Sequence, residues 1–152
     1  MRVLVTGAFG NIGTNTVREL LAQGHLVRCF DLKTKANEQA AKRFGGLAEV
    51  VWGDLRKQED LAEAVKGQEV VVHLAFIIPS LSATGVDSEK EPDWARAINV
   101  GGTQNLLEAM KAQPKPVRIL FASSVATYGR TQHLLPPRRV TDPQTATDHY
   151  SQ

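Results

Sequence analysis

The chain has 152 residues, with Lys+Arg 18 against Asp+Glu 16 for a net charge of +2, and 42% hydrophobic side chains. That describes one globular domain, able to bury about two-thirds of its unfolded surface without disulfides or a structural metal, and it argues against intrinsic disorder. A charge this close to balance is not the footprint of a nucleic-acid binder, and the lone Cys29 beside four scattered His gives no zinc spacing and points to a reducing, cytoplasmic setting.

Met1 leads directly into Arg-Val-Leu-Val-Thr-Gly, without the basic segment and apolar stretch of a signal peptide. Short Val/Ile/Leu-rich runs then alternate with longer stretches of helical spacing, the order that predicts an α/β fold with a parallel sheet covered by helices. Strands are expected at residues 2–6, 26–30, 48–52, 69–74 and 117–122, several without polar alternation because both faces are buried. The first helix is expected at 11–23, with Ile12, Thr16, Val17, Leu20 and Leu21 inward and Gly24 as its stop. A weaker helix follows at 36–44. A third runs from Asp54 to about Lys66, with Leu55, Leu61, Ala62 and Val65 toward the sheet and Gly67 after it. The run 70–78 is too short for a membrane helix, which needs about 20 residues. After a loop at 79–91, the longest helix is expected at 92–112, with Trp94, Ile98, Leu106 and Met110 in one row. Gly101 and Gly102 interrupt that row, which implies close packing against another backbone. Beyond Tyr128 the polar, Pro-rich residues 130–147 read as an irregular excursion.

The most informative stretch is Gly7-Ala8-Phe9-Gly10-Asn11-Ile12-Gly13, between an expected strand and an expected helix. In that setting the first Gly permits a tight turn, the second lets the backbone approach a pyrophosphate, and the third lets helix and strand pack closely. The helix start offers free N–H groups and partial positive charge to the phosphates. Asp31 ends the second strand 18 residues after Gly13, where a carboxylate accepts the hydroxyls of an adenosine ribose. It repels a 2′-phosphate, so NAD is expected over NADP, although Lys33 and Lys35 follow at once. Asp54, after Trp52-Gly53, meets the adenine amino group or caps the next helix, and the sequence leaves both open.

Together with His73-Leu74-Ala75, Asn99-Val100-Gly101-Gly102-Thr103 and Ser123-Ser124-Val125-Ala126-Thr127-Tyr128-Gly129, these residues resemble the extended short-chain dehydrogenase/reductases, NAD-dependent epimerase/dehydratase group. The resemblance covers essentially the whole chain. It implies a Rossmann-like doubly wound parallel sheet of order 3-2-1-4-5. It assigns Gly7, Gly10, Asn11, Ile12 and Gly13 to the pyrophosphate, Asp31, Leu32 and Lys33 to the adenosine ribose end, and Asp54 and Leu55 to the adenine. Leu74, Ala75 and Phe76 line the cofactor channel, with Phe76 where the family commonly has a small residue, and Ala122 and Ser123 border it after the fifth strand. Asn99 matches an Asn near the cofactor, or is a polar residue kinking a buried helix.

The family's chemistry uses a Tyr as general acid/base, a Ser hydroxyl on the reacting oxygen, and a Lys four residues after the Tyr. A free phenol titrates at about 10, and a nearby ammonium and the positive nicotinamide bring it toward working pH. The resemblance implies Ser124 and Tyr150, 26 residues apart, as the catalytic pair, in preference to Tyr128. His149 and Asp148 match no family role and read as solvent-facing. The Lys would fall past Gln152, so the expectation is an N-terminal portion of a longer enzyme, binding NAD without turnover by itself and lacking the substrate-binding region. The implied parent acts on a hydroxyl or ketone of a small molecule such as a nucleotide sugar, and the resemblance implies homodimerisation through the long helix and the helix that carries Tyr150. A noncatalytic dinucleotide-sensing module on the same fold is the competing reading, and Ser124 with Tyr150 favours the enzyme.

Overall fold

The structure, a computed structural model, describes residues 1–78, 89–129, 137–147 and 150–151. Most of the expected loop at 79–91, the start of the excursion at 130–147, and Asp148 and His149 therefore lie outside the described residues. The chain forms two compact units, Met1–Phe76 with Ala97–Ala122 and Ile77–Arg96 with Ser123–Gln152.

The first unit carries β1 (Arg2–Thr6), α1 (Asn11–Ala22), β2 (Leu26–Asp31), α2 (Lys35–Lys42), β3 (Glu49–Trp52), α3 (Gln58–Val65) and β4 (Val70–His73). It continues with a π-helical segment (Ala97–Gly102), α5 (Thr103–Lys111) and β5 (Arg118–Phe121). All five strands are parallel in the order β3-β2-β1-β4-β5, as expected. Val3, Leu4 and Val5 on the central β1 are buried on both faces, which explains the lack of polar alternation there. The register pairs Thr6 with Phe30 and with His73, and Asp31 with Trp52, so the carboxyl ends of β1 to β4 lie level.

Arg28 of β2 ties sheet to helix. Its Nη1 donates to the carbonyls of Glu63, Ala64 and Lys66 at 3.0, 2.9 and 2.9 Å, satisfying the C-terminus of α3, while its Nε donates to Glu49 at 2.8 Å. Cys29 is a packed hydrophobe. Burial, and then the charge of Asp31, push its thiol up to about 12.

Four expectations shift. Ile12 is not inward but 66% exposed, because it lies one position off the row of α1 that Gly13 and Val17 bury; Leu20 and Leu21 are partly buried. The third helix starts at Gln58 rather than beside Asp54, because the Asp54 carboxylate accepts the Arg56 N–H at 2.9 Å and turns the chain first. That start puts Ala64 rather than Ala62 in the core. The long helix is not uniform: α4 (Pro92–Arg96), in the second unit, is followed in sequence by the π-helical segment containing Gly101-Gly102. Close packing holds for only one of those glycines, and against a side chain rather than the expected backbone. A β-carbon on Gly102 would lie 2.7 Å from Leu55 Cβ, whereas one on Gly101 meets nothing within 4 Å.

In the second unit, Ser124 Oγ accepts from the Ala126 N–H at 3.2 Å and caps a 3-10 turn, Val125–Tyr128. Thr145 Oγ1 donates to the Tyr128 carbonyl at 3.0 Å, which anchors the described part of the Pro-rich excursion; residues 137–147 contain no helix or strand. Among the described residues no helix is long and apolar enough to cross a membrane.

Candidate functional site

Residues 7–13 join β1 to α1 at the carboxyl edge of the sheet. Gly7 has φ +65, donates to the Phe30 carbonyl at 3.0 Å, and lies so close to the β4 exit that a β-carbon would fall 2.9 Å from Ala75 N and Cα. A β-carbon on Gly13 would overlap the Gly7 carbonyl oxygen and Ala8. Gly10 differs: its φ of −69 suits any residue, and an added β-carbon meets only the Gly7 carbonyl, at 3.4 Å. The fold requires glycine at 7 and 13 and does not require it at 10.

Gly10 is also the N-cap of α1 and brings no capping side chain. Among the described residues no side chain accepts from the first-turn amides of Asn11, Ile12 and Gly13, so the twelve-residue helix presents unsatisfied N–H groups beside a bare glycine. This cradle fits a pyrophosphate, and a methyl group would fill it.

Asp31 stands at the end of β2, next to the loop. Its Oδ2 accepts from the Phe9 N–H at 2.9 Å, and its Oδ1 accepts from Leu32 N at 2.9 Å and Asn37 Nδ2 at 3.1 Å. Burial raises its pKa, and those three donors pull it back. A carboxylate oxygen takes about two donors, so Oδ2 keeps room for one ribose hydroxyl. Asn37 also donates to the Leu32 carbonyl at 2.8 Å and thereby fixes the Asp31–Leu32 turn. Phe9 is buried against Trp52 and Phe44, with ring centroids 5.2 and 6.4 Å apart, which pins the loop to β3 and the end of α2. Sequence reasoning missed both residues; the sign for Asn37 was its place three residues after Thr34, the N-cap of α2. Lys33 is exposed and lies 3.9 Å from Glu38.

Asp54 does not cap α3. The guanidinium and N–H of Arg56 hold its carboxylate, and the Arg56 side-chain hydrogen bonds keep its pKa below the usual range. Leu55 is buried, with its side chain under Gly102 and its carbonyl accepting from Asn105 at 3.1 Å. At the β4 exit, the Leu74 and Ala75 amides donate to Thr6 Oγ1 at 3.2 and 3.3 Å. The half-buried Phe76 ring packs on His73 and edge-on against Phe121, at 5.2 and 5.4 Å. Asn99 is buried in the π-helical segment, and its carbonyl accepts from Thr103 Oγ1. Ala122 is exposed after β5.

The glycine loop, Asp31 and the β4 exit are thus brought together in the first unit. Ser123, Ser124 and Tyr150 belong to the second. Ser124 Oγ already accepts one bond and keeps its proton to donate. Tyr150 is partly buried in a short turn, and among the described residues no hydrogen bond joins it to Ser124.

A family model described as the NAD dependent epimerase/dehydratase family matches residues 3–152. The chain belongs to the NAD-dependent epimerase/dehydratase family. It is 40% identical over 108 residues to the 3 beta-hydroxysteroid dehydrogenase/Delta 5→4-isomerase of Mycobacterium tuberculosis, covering 71% of this chain and 28% of that protein. It is 33% identical over 156 residues to the UDP-glucose 4-epimerase of Lacticaseibacillus casei, covering 100% of this chain and 43% of that protein. The chain therefore spans less than half the length of both curated relatives. A crystal structure of UDP-glucose 4-epimerase from Stenotrophomonas maltophila, with bound NAD and formylated UDP-arabinopyranose, superposes with TM-score 0.81 at 29% identity, covering 99% of this chain and 44% of that one. The family is dependent on NAD, the cofactor expected from Asp31.

Proposed function

We propose that these 152 residues form the cofactor-binding part of an NAD-dependent oxidoreductase or epimerase that acts at a hydroxyl or ketone carbon of a nucleotide sugar. The observation that carries this reading is Gly10, a glycine that the fold does not need, beside helix amides with no side-chain acceptor among the described residues. The nucleotide-sugar class rests on the UDP-glucose 4-epimerase relative, whose match extends over 100% of this chain.

In this reading the amides of Asn11, Ile12 and Gly13 bind the pyrophosphate, Asp31 Oδ2 accepts a ribose hydroxyl, and Leu32 and Lys33 border that end. Asp54 and Leu55 lie toward the adenine. Leu74, Ala75, Phe76, Asn99, Ala122 and Ser123 line the channel to the nicotinamide. When bound, NAD supplies a hydride acceptor and donor at the nicotinamide ring. The Ser124 hydroxyl would donate a hydrogen bond that orients the substrate oxygen, and Tyr150 would take the proton on that oxygen as the phenolate or return it as the phenol.

The test uses the whole protein. Tyr150→Phe and Ser124→Ala are expected to lower kcat by about 10²- to 10⁴-fold, the usual weight of a general acid/base, with NAD affinity within about twofold of wild type. Unchanged kcat in both variants would remove the catalytic assignment, and the absence of UDP-sugar turnover in the wild type would remove the substrate class.

A further inference from the structure

His73 is fully buried at the end of β4 and has no part in the reading above. Its surroundings fix the direction of every hydrogen bond it makes. Backbone N–H groups only donate, so Thr6 Oγ1 accepts from the Ala75 amide, shares the Leu74 amide with its own carbonyl, and gives its proton to His73 Nδ1, 2.7 Å away. A carbonyl only accepts, so Thr103 Oγ1 gives its proton to the Asn99 carbonyl and receives the proton of His73 Nε2 at 3.0 Å. The imidazole is therefore the neutral Nε2–H tautomer, with Phe76 and Phe121 packed on it at 5.2 and 5.9 Å. Burial, which lowers its pKa to about 4, keeps it neutral.

The two ends of this relay bear on the candidate site. Thr6 is the last residue of β1 and leads into Gly7, whose α-carbon packs against the Leu74–Ala75 backbone that Thr6 holds. Thr103 opens α5 and holds the carbonyl of Asn99 inside the π-helical segment. We infer that His73 is a positioning residue for the cofactor channel: it fixes the β4 exit and the Asn99 turn to the strand that carries the glycine loop. The inference rests on the reading of this channel as an NAD site. It gives a physical reason for a histidine on an otherwise apolar strand, since only a side chain with a donor and an acceptor on opposite edges can link Thr6 to Thr103.

The experiment uses the 152-residue chain labelled with nitrogen-15. Long-range proton–nitrogen NMR correlations report the tautomer of His73 directly, and calorimetry gives the NAD affinity of the wild type, Thr103→Val and Thr103→Ser. Valine keeps the shape and β-branching but loses the hydroxyl; serine keeps the hydroxyl. The expected result is an Nε2–H ring, NAD affinity about tenfold weaker in Thr103→Val, the scale of one buried donor left unpaired, and affinity within about twofold of wild type in Thr103→Ser. An Nδ1–H ring, or Thr103→Val binding NAD as tightly as wild type, would overturn the inference. If the wild type binds no NAD, it is the cofactor reading that fails. The tautomer and the Ala75 amide shift then still decide the relay: an Nε2–H ring with the amide displaced in Thr103→Val supports it, and an unmoved amide overturns it.

Discussion

Replacing Gly10 with alanine separates the demands of the fold from those of a ligand. At φ −69 the alanine backbone is unstrained and its methyl meets only the Gly7 carbonyl at 3.4 Å. Gly→Ala at such a position gains about 0.4–1 kcal/mol by restricting the unfolded chain, and the loss of a preferred N-cap glycine costs about 0.5–1 kcal/mol. Stability should stay within about 1 kcal/mol of wild type. Binding should not. The methyl group occupies the space through which a pyrophosphate reaches the amides of Asn11, Ile12 and Gly13, and one or two charge-assisted hydrogen bonds at about 1.5–3 kcal/mol each are lost. That corresponds to NAD affinity weaker by about tenfold if one weak bond is lost and by about 10⁴-fold if two strong ones are. Gly7→Ala is the internal contrast: a positive φ of 65 and backbone atoms 2.9 Å from the new methyl make it a folding mutation, destabilising by roughly 2–5 kcal/mol from strain and overpacking. Urea unfolding gives the stabilities and calorimetric titration the affinities. Wild-type NAD affinity in Gly10→Ala would refute the cradle, and a Gly10→Ala midpoint as low as that of Gly7→Ala would refute the steric argument.

The two adjacent glycines in the π-helical segment should respond in opposite directions. Gly101→Ala meets nothing and should stabilise by about 0.5–1 kcal/mol, whereas Gly102→Ala drives a methyl into Leu55 and should cost about 1–2 kcal/mol after the propensity gain, both read by urea unfolding. His73 gives stability a pH dependence. Its folded pKa of about 4 lies below the ordinary 6.5, so the unfolded chain binds the extra proton first, and stability should fall as the pH drops from 6.5 to 4. The full loss is roughly 3 kcal/mol, measurable from unfolding midpoints across that range and absent in a folded His73→Gln variant. Asn37→Ala removes one of three donors to Asp31 and frees the Leu32 turn, and NAD affinity should weaken by about three- to tenfold with stability changed by under about 1 kcal/mol.

The parallel sheet was legible because strand runs and helical spacing alternate, its order through the family resemblance, and the glycine loop because its flanks define its setting. Asp31 was legible as a strand-end acid. What was not legible depends on contacts distant in sequence or on competition within one turn. Ile12 has the spacing of a core residue, but it lies one position off the row of α1 that Gly13 and Val17 bury. Asp54 is as suitable for a helix cap as for the turn it makes, and only the neighbouring Arg56 decides between them. The glycine pair announced an irregularity, but its form as a π-helical segment is tied to His73, 26 residues before Asn99. Phe9 and Asn37 acquire their roles only when β3 and α2 fold beside the loop. Ser124 is proposed from the stretch Ser123 to Gly129 that carries the family resemblance, and Tyr150 only from its spacing after Ser124.

The most direct test of the account is a calorimetric titration of the 152-residue chain with NAD and, in parallel, NADP. The Asp31 carboxylate, held by Phe9, Leu32 and Asn37 with room on Oδ2 for one hydroxyl, predicts a single site that binds NAD at least about tenfold more tightly than NADP, a difference of about 1.4 kcal/mol. Equal binding or a preference for NADP would contradict the role given to Asp31, and binding of neither would contradict the account as a whole.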